Sequence, residues 1–277
     1  MSPPSSSNLP NLLRRLLHDR LARTSRALNH YRQHPTPSSL HDLRTDLRKA
    51  RLHLILAAKQ LPPRKSRATA EALRELNRHL GPLRDLDVVA LTLKRLSIKH
   101  PPVSALLPTL KPRLARDRVN ARRSVKSFLT STGSHTLENI LTHSPRPLPA
   151  PLLPLHASWT AEQIRKAIRR IRRARQTSTS THSETLHDLR IRMRRTRLIL
   201  DMAQPPPTPR QKKLIPRIRA AEKTLGKLHD LDMTLAWLAA GSEPGRAPLK
   251  QRLNRQRRKL LARFRAHWKE LPKSFQP

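Results

Sequence analysis

The stretch His41-Asp42-Leu43-Arg44-Thr45-Asp46-Leu47-Arg48-Lys49-Ala50-Arg51-Leu52 is answered later in the chain by His187-Asp188-Leu189-Arg190-Ile191-Arg192-Met193-Arg194-Arg195-Thr196-Arg197-Leu198, an offset of 187 − 41 = 146. A second pair follows each. Leu80-Gly81-Pro82-Leu83-Arg84-Asp85-Leu86-Asp87 matches Leu225-Gly226-Lys227-Leu228-His229-Asp230-Leu231-Asp232, with 226 − 81 = 145. Two words kept in order and displaced almost equally mark a duplicated unit, and self-similarity of this kind constrains the fold before any local reading does.

Each copy of the first word has helical periodicity. At 100° per residue, His41, Arg44, Arg48 and Arg51 fall within about 80° of arc, and Leu43, Leu47, Ala50 and Leu54 form a separate row expected on the opposite, core-facing side. His187, Arg190, Arg194 and Arg197 repeat the cationic row, against Leu189, Met193, Thr196 and Leu200. Ser39-x-x-Asp42 and Thr185-x-x-Asp188 read as capping boxes, which would set His41 and His187 in the first turn, where backbone N–H groups favour anions.

The rest of the chain is consistent with an all-α fold. Leu, Ala and Arg dominate segments separated by proline clusters, only 5 glycines occur, and no run alternates with period two. Helices are expected near 9–33, 40–60, 64–98, 104–130, 157–177, 184–203, 209–240 and 247–271. That arrangement predicts two four-helix bundles, 9–143 and 157–277, related by a pseudo-two-fold axis about a shared basic groove. Residues 1–8 would be a disordered tail and the proline-rich 144–156 a connector.

Composition narrows the chemistry. With 58 Lys+Arg against 18 Asp+Glu among 277 residues, the formal charge is +40, which requires counterions or a polyanionic partner. Zero cysteines exclude disulfides, thiolate nucleophiles and Cys-ligated metal centres. No apolar run reaches the roughly 20 residues of a membrane span, and the Ser/Pro-rich start has no apolar leader core. The expectation is a cytoplasmic protein without membrane attachment. Three Trp, one Tyr and three Phe offer little for stacking on unpaired bases.

Phosphate polymers suit these rows because a guanidinium donates parallel hydrogen bonds to phosphate oxygens, and Arg outnumbers Lys in them. The second words extend the cationic set: Arg74, Arg78 and Arg84 correspond to Arg219, Lys223 and His229. Asp85, Asp87, Asp230 and Asp232 are read as orienting arginines, and Asp42 and Asp188 as caps. Histidines among fixed positive charge should resist protonation until phosphate arrives, so binding should tighten as pH falls. Against all of this stands the plain reading of a basic run as a solvated helix face, which the duplication argues against.

The two H-D-L-R-x-x-x-R-[KR]-x-R-L words and the two L-G-x-L-[RH]-D-L-D words resemble the CHAD family, the conserved histidine α-helical domain, over about 9–271. The resemblance implies paired four-helix bundles and a basic cavity that binds inorganic polyphosphate, often at polyphosphate granules. It carries over to His41, Arg44, Arg48, Arg51, His187, Arg190, Arg194 and Arg197. Arg84 matches a further family position whose mate here is His229. The E-x-E-x-K word of the catalytic domain often associated with this family is absent.

The resulting expectation is a non-enzymatic polyphosphate binder with no cofactor and no metal. Non-specific binding of nucleic acid is the alternative, since charge alone attracts any phosphate polymer. A metal-dependent phosphohydrolase built on the pairs His41-Asp42, His187-Asp188 and His229-Asp230 is the least favoured. Adjacent helical residues point about 100° apart, so no such pair forms a metal centre by itself.

Overall fold

The computed structural model describes residues 9–57, 63–131, 162, 165, 166, 169, 183–201 and 209–269, and all the ordered elements among them are helices. These are α1 (Leu9–Gln33), α2 (Pro37–Ala57), α3 (Pro63–His79), α4 (Gly81–Lys99), α5 (Pro101–Thr130), α6 (Ser183–Asp201), α7 (Pro209–Ala239) and α8 (Arg246–Lys269). Of the helix expected at 157–177, only Glu162, Arg165, Lys166 and Arg169 are described; all are helical, with Lys166 Nζ 2.6 Å from Glu162 Oε1. The remainder of that segment and the connector 144–156 lie outside the described residues.

Proline punctuates the starts. Pro37, Pro63, Pro101 and Pro209 each open a helix, where the missing N–H costs nothing and the fixed φ suits the first turn. The expected helix 64–98 is instead two, α3 and α4, meeting at Leu80. Pro82 is the cause, because it cannot donate to the carbonyl four residues before it. Helical bonding still continues past the junction, from Leu80 N to Leu76 O at 3.0 Å and from Arg84 N to Leu80 O at 3.3 Å. In the second copy Lys227 replaces that proline, and α7 runs unbroken.

The helices group into two compact units. One contains α1–α3, α4 as far as Asp87, and α5 from Arg113; the other contains Val88–Lys99, Pro101–Pro112 and α6–α8. The change of unit within α5 falls directly after Pro112, one of two prolines inside that helix with Pro108.

In the first unit α1 packs on α2 and α2 on α3. Its core joins Leu17, Leu21 and Leu28 of α1 to Leu43, Leu47, Ala50 and Leu54 of α2, to Leu73 and Leu76 of α3, and to Val125 of α5. In the second unit α6 packs on α7 and α7 on α8. Leu189, Met193, Leu225, Leu228, Leu253, Phe264 and Trp268 are buried there, as are Leu93, Leu96 and Leu110 of the hairpin drawn from α4 and α5.

That hairpin is tied to α8 at two points. Arg252 Nη2 lies 2.6 Å from His100 Nε2. Gly245, at φ 73°, leads into α8, and a Cβ on it would stand 2.6 Å from Leu106 Cδ2. Only glycine satisfies both the left-handed backbone and that approach.

Candidate functional site

The start of α2 is capped differently from the reading above. Thr36 is the cap: its Oγ1 accepts the Ser39 N–H at 3.1 Å, Ser39 Oγ accepts the Thr36 N–H at 3.0 Å, and Leu40 N donates to Thr36 O at 3.0 Å. This is a capping box with serine as the reciprocal partner. Ser39 Oγ also donates to His34 O at 2.5 Å. His41 therefore stands in the second turn, exposed, and the first-turn anion site expected there is replaced by the cap's own hydrogen bonds. Thr185 likewise lies inside α6, and Asp188 pairs with Arg192 at 3.7 Å instead of closing a box.

The apolar row of the first copy is buried, with Leu43, Leu47, Ala50 and Leu54 at 0%, 1%, 0% and 4% exposure. At 100° per residue the cationic and apolar rows are centred about 110° apart, so the arginines border the core and do not oppose it. Arg44 shows the consequence. Half-buried, it donates from Nη1 to Asn77 O at 2.7 Å, and its Nη1 would lie 3.5 Å from a Cβ on Gly81. Burial lowers its pKa, opposed by Asp85 and reinforced by Arg84. Its Nε–H is buried and has no hydrogen-bond partner among the described residues. Arg48, next along the row, donates from Nη2 to Thr45 Oγ1 at 3.2 Å, and Arg51 is exposed.

The structure thus brings Arg44, Arg84 and Asp85 together where α2 meets the α3–α4 junction. Arg74 and Arg78 are placed differently: both are exposed on α3, ion-paired within that helix to Glu71 at 3.4 Å and to Glu75 at 3.7 Å. Arg219 and Lys223 are exposed on α7.

At the corresponding place in the second copy, where α6 meets the unbroken α7, two histidines meet. His187 Nδ1 and His229 Nδ1 are 3.3 Å apart, with ring centroids at 4.8 Å. Burial, then Arg190, His187 and Arg194, push His229 down to about 4; burial and Arg190 also lower His187. Both rings line a cavity of about 750 Å³ with Asp188, Arg192, Asp232 and Met233. Leu189, Met193 and Thr196 are buried as expected, and the side chain of Leu200 lies outside the described residues.

Beside them, Arg194 Nε donates to Glu222 Oε1 at 2.8 Å and Arg197 Nε to Glu222 Oε2 at 2.6 Å. Burial would raise the Glu222 carboxyl, but the two arginines outweigh it and hold its pKa below the ordinary value. Sequence reasoning missed this residue. The signal was available, since Glu222 falls at the same 145 offset (222 − 77 = 145) as Asn77.

Two aspartates of the second word bind arginines of the helix that follows. Asp87 accepts from Arg118 of α5 at 2.6 Å, and Asp232 from Arg257 of α8 at 2.5 Å. Among the described residues no group of three or more His, Asp or Glu side chains is placed to hold a metal ion, and no helix is long and apolar enough to cross a membrane.

The comparisons agree with this architecture. The family model described as "CHAD domain" matches residues 15–239. Among solved structures, the chain is similar to the crystal structure of the CHAD domain from the plant Ricinus communis, at 20% identity and a TM-score of 0.67 over 95% of this chain and 92% of that one. It is also similar to PptA from Streptomyces chartreusis, at 15% identity and a TM-score of 0.67 over 98% of this chain and 99% of that one. No curated protein matches. With the family model spanning most of the sequence and both duplicated words on paired helices, the chain belongs to the CHAD-domain family.

Proposed function

We propose that this protein is a non-catalytic binder of inorganic polyphosphate, and that His41, Arg44, Arg48, Arg51 and Arg84 in one unit and His187, Arg190, Arg194, Arg197 and His229 in the other contact the polyanion. The observation that carries the reading is the cationic row that each copy sets on one helix beside its buried apolar face, with half-buried Arg44 in the first and half-buried Arg194 and Arg197 in the second. Guanidiniums placed so are stabilised by an anion that accepts charge-assisted hydrogen bonds from them. The duplicated row and the charge of +40 support a ligand of many phosphates over a single one. Arg74, Arg78, Arg219 and Lys223 serve in this reading as outlying electrostatic contacts. In a cell, such a protein would collect at polyphosphate bodies.

Calorimetric titration with long-chain polyphosphate, against duplex DNA and RNA of equal phosphate content, tests the proposal. Polyphosphate should bind more tightly than either nucleic acid, with affinity falling steeply as salt rises. Arg48→Glu combined with Arg194→Glu should weaken binding far more than reversal of exposed Arg116 and Arg263. Equal displacement by nucleic acid would favour the general polyanion reading instead.

A further inference from the structure

Besides Arg84 and His229, the two copies differ at a position beside the site. Asn77 in the first corresponds to Glu222 in the second, and Glu222 places its carboxylate against two arginines of its row. Resting on the polyphosphate reading, we propose that Glu222 is a positioning residue that fixes Arg194 and Arg197 as a rigid pair for neighbouring phosphoryl groups.

The geometry distinguishes a clamp from a competitor. The Glu222 side chain is 10% exposed, while Arg194 and Arg197 are 28% and 25% exposed, so the carboxylate sits beneath and the guanidiniums reach outward. Each carboxylate oxygen takes one guanidinium, and takes it through Nε. Contact through Nε sets the carboxylate on the stem side of each guanidinium, and the terminal Nη edge is one of the faces a phosphate grips with two parallel bonds. Long arginine side chains lose rotamer freedom on binding a ligand, and a buried anchor that has already ordered two of them lowers that cost. With a depressed pKa, the anchor stays ionised throughout the neutral range.

In the first copy, Asn77 takes a different part. Its backbone carbonyl accepts Arg44 Nη1 and its Oδ1 is buried without a partner among the described residues.

The test exploits a conflict of sign. Glu222→Gln raises the net charge by one, so charge alone predicts tighter polyphosphate binding; loss of a clamp predicts weaker binding. The expected result for the full-length protein, titrated with long-chain polyphosphate, is a Kd about 3- to 10-fold higher for Glu222→Gln. Glu222→Asp keeps the charge but shortens the reach, and should also weaken binding; it serves if the glutamine variant fails to fold, as judged by ligand-free melting. In an Arg194→Ala/Arg197→Ala background, where no pair is left to clamp, Glu222→Gln should no longer weaken binding, an outcome that a merely structural role would not produce. If the wild type binds polyphosphate and both Glu222 variants bind as tightly or more tightly, the clamp is wrong and the function stands. If the wild type does not bind, both fall.

Discussion

His187 and His229 face each other through their Nδ1 atoms at 3.3 Å, a separation at which one ring donates its proton to the lone pair of the other. The contact needs at least one neutral imidazole, and the surroundings ensure it, since burial, Arg190 and Arg194 all disfavour protonation of His229. In the unfolded chain each ring regains a pKa near 6.5. As pH falls from about 6.5 towards 4, the unfolded chain takes up protons that the folded one refuses, and stability is lost. For His229 this amounts to at most about 3 kcal/mol. Denaturant midpoints should therefore drop between pH 7.5 and pH 5, and drop less in His229→Gln. Buried His53 acts in the same direction, so the wild-type-minus-variant difference is the quantity to measure.

Ligand should reverse part of this. Phosphate beside His187 counters the charge of Arg190 and restores its basicity, so binding takes up protons. Polyphosphate affinity is expected to be higher at pH 6 than at pH 8. Titrations in two buffers of different ionisation enthalpy should show net uptake at pH 6, reduced in His187→Asn. Equal affinity at both pH values would remove the histidine from contact with the ligand.

The aspartates that end each second word should matter equally in both units. Asp87 pairs with Arg118 and Asp232 with Arg257, each joining the helix of the second word to the one that follows it. Asp87→Asn or Asp232→Asn leaves a part-buried guanidinium without its counter-charge and should cost roughly 2 to 4 kcal/mol in urea unfolding. Asp188→Asn, at an exposed ion pair, should change stability by less than about 1 kcal/mol.

Gly245→Ala addresses a single backbone requirement. Alanine at φ 73° is strained, and its Cβ would press on Leu106. The combined effect should be a loss of roughly 2 to 4 kcal/mol, read as a lower melting temperature.

The buried face of α2 was legible in advance because Leu43, Leu47, Ala50 and Leu54 repeat at helical spacing and all are buried. The α3–α4 break was not, because apolar spacing continues across Leu80 while the backbone obeys Pro82. Local sequence places the cap three residues late, since Thr36 and Ser39 are both competent caps and only the hydrogen bonds distinguish them. Interhelical partners were the hardest to see. Arg118, Arg257 and Glu222 lie 25 or more residues from the groups they bind, and nothing in local periodicity links them. Extending the 145 offset a few residues upstream exposes the Asn77/Glu222 difference, but its meaning depends on where Arg194 and Arg197 turn.

The sharpest consequence of the fold concerns cutting the chain. The second copy falls within 157–277, yet the second unit also contains Val88–Pro112. Val89, Leu93, Leu96, Val103 and Leu110 of that segment are buried, and His100 meets Arg252 at 2.6 Å. A fragment spanning 157–277 would lack all of them, and losing several buried apolar side chains at once exceeds the few kcal/mol by which a domain of this size is stable. It should remain partly helical but melt without cooperativity and bind a hydrophobic dye. Adding a peptide spanning 88–112 should restore a cooperative transition, and should do so less well when Leu93 and Leu96 are both replaced by alanine. A cooperative melt of the fragment alone would show that the hairpin is dispensable to the second unit.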